Sequence, residues 1–176
     1  MTYSMQYDEI DSPIGPLTLA AFGGALCHID FGRFEARRSA LTSWSDRWFG
    51  SVSWERDPAA LGEAKDELDA YFRNELERFS LRLDLRGTPF QVKVWEALLA
   101  IPYSQVCAYK DIASRIGSPK AVRAVGGANN RNPVPIIVPC HRVIGAAGSM
   151  VGYGGGLEIK TFLLHHEGYS AGGTSL

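Results

Sequence analysis

The chain has 176 residues, of which 45% are hydrophobic and 21% charged, and its formal net charge is −1. These values are ordinary for a globular protein, and they exclude a disordered chain, a collagen-like chain and a uniformly basic DNA-packaging protein. The charge is unevenly distributed, because residues 1–87 hold 15 acids and 10 bases whereas residues 88–176 hold 4 acids and 8 bases. The segment 107–142 alone has six bases and one acid, which indicates an anionic partner.

The N-terminus lacks the basic start and apolar core of a secretory signal. The longest apolar run, at 133–140, is far too short to cross a membrane. There are three cysteines, Cys27, Cys107 and Cys140, and an odd number without a signal favours free thiols in a reducing compartment. We therefore expect a cytoplasmic protein with no membrane segment.

The first half of the chain predicts a small domain built on an antiparallel sheet with a helix. Apolar runs at 17–21 and 25–31 are separated by a Gly-Gly pair, which predicts a two-residue hairpin because both glycines tolerate positive φ. Residues 33–57 look irregular, and their tryptophans are expected to supply core area. A helix is expected to open at 57–58 (Asp-Pro), and a half-buried strand is expected at 79–85, where apolar and polar residues alternate.

The second half predicts a mostly helical domain that begins after a boundary at 86–87. Residues 88–91 (Thr-Pro-Phe-Gln) form a capping box that starts a helix. Helical spacing predicts another helix over 109–116, which Gly117 ends, and a third helix that Ser118 caps. Two helices joined by such a short turn match the helix-turn-helix plan.

These patterns predict an α+β (α/β-like) fold with two domains. The first covers 1–87. The second covers 88–169 and ends in a helix over 157–167. Residues 170–176 are predicted to form a flexible tail.

The third helix of the second half carries unusually little side chain. Residues 121–128 read Ala-Val-Arg-Ala-Val-Gly-Gly-Ala, although glycine inside a helix costs about 1 kcal/mol relative to alanine. Tight packing against another helix explains such a surface, and so does close approach to nucleic acid. Lys120 and Arg123 at its start, with Arg131 after its end, favour a nucleic-acid groove.

Cys140 ends a proline-punctuated apolar segment. A lone cysteine is usually a small buried hydrophobe. Here His141 and Arg142 follow directly and can stabilise a thiolate, and a glycine-rich stretch typical of a pocket wall comes next. Because a free thiol is barely ionised at neutral pH, a nucleophilic cysteine needs such a base or positive neighbour.

A carboxylate that orients His141 would complete a Cys-His-acid group. Neighbouring side chains in an extended chain point to opposite faces, so His141 either meets Cys140 across a turn or acts through a water molecule. Glu167 is the preferred carboxylate, and Glu158 on the same helix is its competitor.

A metal site is not favoured. The pairs at 27–28, 140–141 and 165–166 supply cysteine and histidine. No pair has the spacing of a zinc site, however, and adjacent ligands rarely fit one tetrahedron. We therefore expect no metal site.

Several motifs of the second half, taken in order, resemble the O6-alkylguanine-DNA alkyltransferases (methylated-DNA–protein-cysteine methyltransferases). The PCHRV run at 139–143 is the most specific of them. The others are TPFQVKVW (88–95), IPY (101–103), AVRAVGGA (121–128), NPVP (132–135) and GYGGGL (152–157). The resemblance spans about residues 88–168, and the first half is similar only through SPIGPL at 12–17 and the helix before the boundary.

The resemblance implies a single-use repair reaction. In this family a thiolate takes the alkyl group from O6 of guanine and keeps it, without a cofactor. Cys140 matches the acceptor, and His141 matches the base that acts through a water molecule. Glu167 matches the carboxylate that orients the base, and Asn132 matches the residue that steadies the network. Tyr109 is implied to position the target and to donate a proton to the leaving purine.

The resemblance also implies how the damaged base is bound. The helix-turn-helix enters the minor groove of double-stranded DNA, and the target nucleotide is flipped into a pocket. The implied pocket residues are Tyr109, Pro135, Tyr153, the backbone of Cys140 and Val143, and the amide of Gly154. The implied DNA contacts are Arg123, which fills the vacated space, together with Lys110, Lys120, Ala121, Ala124 and Gly126.

Two positions depart from the family pattern. Ser104 stands where many members have glycine after Ile-Pro-Tyr, and Gly154 stands where some have serine. Met150 and Val151 lie in the pocket loop, so they bear on the size of the largest adduct that the pocket accepts. O4-alkylthymine is a second possible substrate.

The expected function is direct reversal of O6-alkylguanine damage in DNA by a monomer, with self-association along DNA left open. One alternative is a DNA-binding module or transcription regulator that has no transfer chemistry. The other is a Cys-His-Glu hydrolase, which would turn over repeatedly and ignore DNA.

Overall fold

A computed structural model describes residues 3–145, 148 and 153–169. The predicted tail at 170–176 and the pocket-loop positions 150–151 lie outside these residues. The chain divides into two compact units, of which the first ends at Arg86 and the second begins at Gly87. The α+β fold class predicted from the sequence is confirmed.

The first unit is a four-stranded sheet with two helices. Its strands are β1 (Ser4–Ile10), β2 (Leu17–Phe22), β3 (Ala25–Phe31) and β4 (Ser53–Arg56), in the order β3-β2-β1-β4. The β2-β3 pair is antiparallel, as predicted. Strand β1 was not predicted; it pairs antiparallel with β2, and β4 joins it as a parallel edge strand.

The hairpin between β2 and β3 forms as predicted. Gly23 has φ 58° and Gly24 has φ 83°, the positive values that a two-residue turn of this kind needs. The strands bring Ala20 and Cys27 beside Met5 in a buried cluster. The partly buried residues packed against this cluster are Phe22, Trp44, Phe49, Val52 and Trp54.

The prediction that residues 33–57 are irregular is wrong, because helix α1 (Phe34–Phe49) and β4 occupy most of them. The buried residues of α1 are Phe34, Leu41 and Ser45. This set is sparse and includes a serine, so the sequence shows no clear helical period of apolar residues. Ser45 Oγ accepts a hydrogen bond from the indole of Trp54 at 3.1 Å, so the burial of the serine depends on a neighbouring strand.

Helix α2 (Gly62–Phe72) begins later than the predicted start at 57–58. Asp57 Oδ1 accepts the backbone N–H of Ala60 at 3.3 Å. The aspartate therefore closes a turn that precedes the helix and does not cap the helix itself.

The strand predicted at 79–85 is reduced to one parallel bridge between Leu26 and Leu83. The N–H of Leu26 donates to the carbonyl of Arg82 at 2.9 Å, and its own carbonyl accepts the N–H of Asp84 at 2.9 Å. The alternating pattern indicated half burial correctly, but a single bridge does not extend into a ladder.

The second unit is mostly helical. Its helices are α3 (Pro89–Leu98), α4 (Tyr109–Arg115), α5 (Val122–Asn130) and α6 (Leu157–His166). The predicted capping box is present, since Thr88 Oγ1 accepts the Gln91 N–H at 3.2 Å and Gln91 Oε1 accepts the Thr88 N–H at 3.0 Å.

Helix α5 begins at Val122 and not at the predicted cap, Ser118. The carbonyl of Ser118 accepts the N–H of Ala121 at 2.9 Å, so these residues form a turn between α4 and α5. The indole of Trp95 in α3 donates to the carbonyl of Ala128 at 2.8 Å. The helix-turn-helix is present, and α3 supports its second helix.

A short parallel pair positions the candidate site. In it β5 (Cys107–Ala108) pairs with β6 (Val143–Ile144). Because β5 runs directly into α4, and β6 directly follows the turn Cys140–Arg142, the pairing brings the start of α4 beside this turn.

We expect Thr88→Ala to lower the free energy of unfolding by about 1 kcal/mol, because it removes the hydroxyl that accepts the Gln91 N–H. Ser118→Ala is the matched control, since Ser118 caps no helix, and it should change the free energy by less than about 0.5 kcal/mol. Urea unfolding followed by circular dichroism measures both variants. Equal losses would contradict the assignment of the cap.

Candidate active site

Cys140 lies at the end of a buried loop that an asparagine holds in shape. Asn132 Oδ1 accepts the Val134 N–H at 3.0 Å, and its Nδ2 donates to the Val138 carbonyl at 2.8 Å. Between these two contacts Ile136 has φ 75°, a left-handed conformation that costs a non-glycine residue about 1–3 kcal/mol. The side chain of Asn132 therefore restrains a strained segment just before the thiol.

The thiol of Cys140 is buried at the start of a single 3₁₀ turn, Cys140–Arg142, and the residue is 3% exposed. Burial raises the pKa of this thiol to about 11, although Asn132, Lys160 and Tyr153 oppose the rise. At neutral pH the resting thiol is therefore protonated, and it needs a base before it can act as a nucleophile.

The same turn carries a histidine and an arginine that share one buried carboxylate. His141 Nε2 lies 2.7 Å from Glu167 Oε2. Arg142 donates from Nε to Oε1 at 2.8 Å and from Nη2 to Oε2 at 3.0 Å. Burial alone would raise the pKa of Glu167, but hydrogen bonds from His141 and Arg142 hold it at about 2. The competing carboxylate, Glu158, is exposed in the first turn of α6.

This contact decides which nitrogen of His141 can take a proton. Because an ionised carboxylate only accepts hydrogen bonds, Nε2 carries the hydrogen of the neutral imidazole, and Nδ1 carries the lone pair. Nδ1 is buried and has no hydrogen-bond partner among the described residues. Burial lowers the pKa of His141, against the opposing influence of Glu167, so the ring is neutral at pH 7 and able to accept a proton.

Lys160 is a further charged group at the site and is not among the residues predicted from the sequence. It is 0% exposed, and its Nζ donates to the Val143 carbonyl at 2.6 Å. Burial lowers its pKa to about 8, so it remains mostly a cation at neutral pH close to Cys140. The sequence signal is its spacing from 163–164 and Glu167, which places it on the buried face of α6.

Tyr109 lies in the first helix of the helix-turn-helix and Asn129 in the second, and the two side chains meet near the thiol. Tyr109 is the first residue of α4, and burial together with the neighbouring Cys140 raises the pKa of its phenol. The amide of Asn129 contacts Tyr109 and donates from Nδ2 to the Cys140 carbonyl at 3.3 Å. Asn129 is also absent from the sequence predictions, and its signal is a polar residue on the buried face of α5 beside Val125 and Ala128.

Most residues predicted to line a pocket are buried, whereas Tyr109 is half-buried and Gly154 is exposed. Pro135 and Val143 are buried, and Tyr153 is 9% exposed and contacts the Cys140 thiol. A Cβ added at Gly154 would lie 3.1 Å from the carbonyl of Asn130. Glycine therefore lets this backbone approach the end of α5 closely.

Two carbonyl groups predicted to bind the base already accept hydrogen bonds from the protein. The carbonyl of Val143 accepts from Lys160, and that of Cys140 accepts from Asn129. The Cys140 carbonyl also accepts the N–H of Val143, so both lone pairs of this oxygen are already used.

The exposed face of α5 combines one basic residue, Arg123, with mostly small side chains. Arg123 and Ala124 are exposed. A Cβ built on either glycine at 126–127 would meet nothing within 4 Å, so close packing among the described residues does not explain these glycines. Of the other predicted contacts, Lys110 and Lys120 are exposed and Ala121 is half-buried.

The described residues contain no group of three or more His, Cys, Asp or Glu side chains that could hold a metal ion. All three cysteines are free thiols, and Cys27 lies in the core of the first unit with its Sγ 3.4 Å from Met5 Sδ. None of the helices in the described ranges is long and apolar enough to span a membrane.

Comparison with known proteins gives matches along both units. Residues 5–85 match the family model of the 6-O-methylguanine DNA methyltransferase ribonuclease-like domain, and residues 89–169 match that of its DNA-binding domain. The methylated-DNA–protein-cysteine methyltransferase of Mycobacterium tuberculosis is 50% identical over 163 residues, which are 93% of this chain and 92% of the relative. The protein of the same name from Methanosarcina barkeri is 47% identical over 93% of this chain and 97% of its own.

A solved structure is similar over the same length. The crystal structure of Mycobacterium tuberculosis OGT in complex with DNA has a TM-score of 0.79 and 49% identity, and the match covers 92% of both chains. Because the two family models match nearly the whole sequence and the relatives share about half of its residues, the chain belongs to the methylated-DNA–protein-cysteine methyltransferase family.

Proposed function

We propose that the protein repairs DNA by moving the alkyl group of O6-alkylguanine onto Cys140, where it stays. O4-alkylthymine is a second candidate substrate. The observation that carries the proposal is a buried thiol followed directly by a histidine that a buried carboxylate orients. The names of the relatives support the reaction, and the complex of the Mycobacterium tuberculosis relative supports DNA as the partner.

His141 is the proposed base. It takes the thiol proton at Nδ1 through one bridging water molecule, while Glu167 stabilises the resulting imidazolium. The direction of the His141–Glu167 hydrogen bond supports this path, because Nδ1 is then the ring nitrogen that has a lone pair. The buried cation of Lys160 favours the thiolate through its charge, and Asn132 steadies the thiol.

The transfer is a single displacement. The Cys140 thiolate attacks the carbon bound to O6, so a sulfur–carbon bond forms and the carbon–oxygen bond breaks. The released electron pair stays on guanine, which takes a proton from the phenol of Tyr109. The thiol proton held by His141 restores the phenol, so the products are alkylated cysteine and neutral guanine. No step of this proposed reaction removes the alkyl group from sulfur, so each molecule is proposed to act once.

The pocket is proposed to read the flipped base by packing and by backbone hydrogen bonds. The burial of Pro135, Val143 and Tyr153 supports an apolar wall. The amino group of guanine would replace one of the two present donors on the Cys140 carbonyl, which accepts from Asn129 and Val143. The proposed contacts are packing by Tyr109, Pro135 and Tyr153, acceptors at Cys140 and Val143, and the N–H of Gly154 directed at O6.

Residues 88–169 are proposed to form the DNA-binding and alkyl-accepting domain, and residues 1–87 a separate N-terminal domain.

The protein is proposed to act as a monomer, with α5 in the minor groove of double-stranded DNA. The open space above the glycines at 126–127 supports a close approach of this helix. Arg123 is proposed to fill the gap left by the flipped nucleotide. The remaining proposed contacts are Lys110, Lys120, Ala121, Ala124 and Gly126.

Incubation with duplex DNA that carries labelled O6-methylguanine should place one methyl group on each protein molecule, and Cys140→Ser should abolish the labelling. Cys107→Ser alters a half-buried thiol on β5 and is the matched control, which should keep full labelling. Binding of DNA without label would favour a non-reacting DNA-binding module. Repeated turnover of an ester would favour a hydrolase.

Glu167→Gln should lower the single-turnover rate constant of methyl transfer by roughly 100-fold or more, because the neutral amide no longer stabilises the imidazolium of His141. Rapid-quench assays with labelled DNA measure this constant. Glu158→Gln, on the exposed turn of the same helix, is the control and should react at the normal rate. A normal rate in Glu167→Gln would contradict the role given to the carboxylate.

The same variant tests the pH dependence of stability. The pKa of Glu167 is about 2 in the folded protein, below its ordinary value of 4.5, so the carboxylate stabilises the fold fully above about pH 4.5 and loses this effect as the pH falls towards 2. The difference in unfolding free energy between wild type and Glu167→Gln should be about 3–5 kcal/mol near neutrality, since Arg142 loses its buried partner. It should shrink below about pH 4.5, and a difference independent of pH would contradict this reasoning.

Arg123→Ala should slow transfer from duplex DNA by about tenfold or more, because the variant no longer stabilises the DNA with the nucleotide flipped out. A loss of about 1.4 kcal/mol lowers the population of that state about tenfold. Its reaction with the free O6-methylguanine base should be unchanged. Arg47→Ala, at another exposed arginine, is the control and should affect neither reaction. Equal losses on both substrates in Arg123→Ala would contradict its proposed place in the duplex.

A further inference from the structure

Ser104 has a backbone conformation that glycine ordinarily adopts. Its φ is 68°, in the left-handed region where residues with a side chain are uncommon. It lies in a tight turn that closes when the N–H of Gln105 donates to the carbonyl of Pro102 at 3.2 Å. Such a conformation persists only where the surroundings hold it.

The contacts that hold Ser104 end on the residue that carries the buried carboxylate. The Ser104 hydroxyl donates to the backbone carbonyl of Glu167, and the Ser104 N–H donates to Glu167 Oε1 at 3.4 Å. The hydroxyl of Tyr103 donates to the carbonyl of His166 at 3.5 Å. Two consecutive residues of the turn therefore bind two consecutive residues at the end of α6.

We propose that Ser104 is a positioning residue for Glu167: its hydroxyl anchors the turn to the Glu167 carbonyl, and the turn then directs its N–H at the carboxylate. This inference rests on the proposed function, because it concerns the group that orients the base of Cys140.

The hydrogen bonds of the two carboxylate oxygens explain what the Ser104 N–H adds. Oε1 accepts from Ser104 and from Arg142, while Oε2 faces His141 and also accepts from Arg142. A donor on Oε1 opposes rotation of the carboxylate, and it therefore keeps Oε2 aimed at the imidazole. The charged groups around this carboxylate are His141 and Arg142 of the 3₁₀ turn, and the charge of Lys160 on α6 also acts on His141.

Two substitutions separate the hydroxyl from the backbone conformation. Ser104→Ala removes the anchor in a residue that disfavours positive φ, so the turn relaxes and its N–H leaves Oε1. Ser104→Gly also removes the hydroxyl, but glycine adopts positive φ without strain. The N–H then stays directed at the carboxylate.

The test is the single-turnover rate constant for methyl transfer from duplex DNA between about pH 6 and about 9.5, with the active fraction counted from the final label. We expect Ser104→Ala to react several-fold more slowly at pH 7. The difference between the two rate constants should narrow towards the upper end of this pH range, because hydroxide then competes with His141 for the thiol proton. Ser104→Gly should keep most of the wild-type rate constant.

Asn74→Ala is the matched control for strain, because Asn74 has φ 61° in the first unit and is not a site residue. It should lower stability without changing the rate constant or its pH profile.

An unchanged rate constant and pH profile in Ser104→Ala would overturn the proposal, and so would a Ser104→Gly variant as slow as Ser104→Ala. Failure of the proposed function gives a different result, since the wild-type protein would then acquire no label or Cys140→Ser would retain it.

Discussion

The carboxylate of Glu167 is the interaction on which the candidate site depends. It binds an imidazole and a guanidinium that are adjacent in the turn after Cys140, and all three groups are buried. Removing one partner of a buried ion pair typically costs about 3–5 kcal/mol, because the other charge is left without compensation. Helix α6 and the turn that carries the thiol therefore have to come together, and the chemistry follows from an arrangement that the fold already requires.

Burial has opposite effects on the groups of this site. It raises the pKa of the Cys140 thiol to about 11 and lowers that of Lys160 to about 8, because both charged forms lose hydration. The resting thiol is thus neutral and shielded. In the proposed mechanism, the same loss of water strengthens the attraction between the thiolate and the neighbouring cation after the proton moves to His141. A protonated resting thiol would also protect the proposed single-use acceptor from side reactions.

Local signals in the sequence predict local structure well. The Gly-Gly hairpin and the capping box at Thr88 form as expected, since each depends on residues within a few positions of one another. Elements that depend on distant partners are predicted poorly. Helix α1 buries a serine whose partner, Trp54, lies on a strand, and the strand expected at 79–85 is reduced to a bridge with Leu26 of β3.

The sequence by itself determined the two-domain α+β organisation, the basic second half and the adjacent Cys140 and His141, because composition, turn chemistry and chain neighbours are properties of short segments. Only the tertiary structure decided that Glu167 and not Glu158 meets the imidazole, and that Lys160 lies buried close to the thiol. It also decided that Ser104 takes a glycine-like conformation against α6. These outcomes depend on which side chains are buried together, because the free energy of burying a charge depends on partners that are distant in the chain.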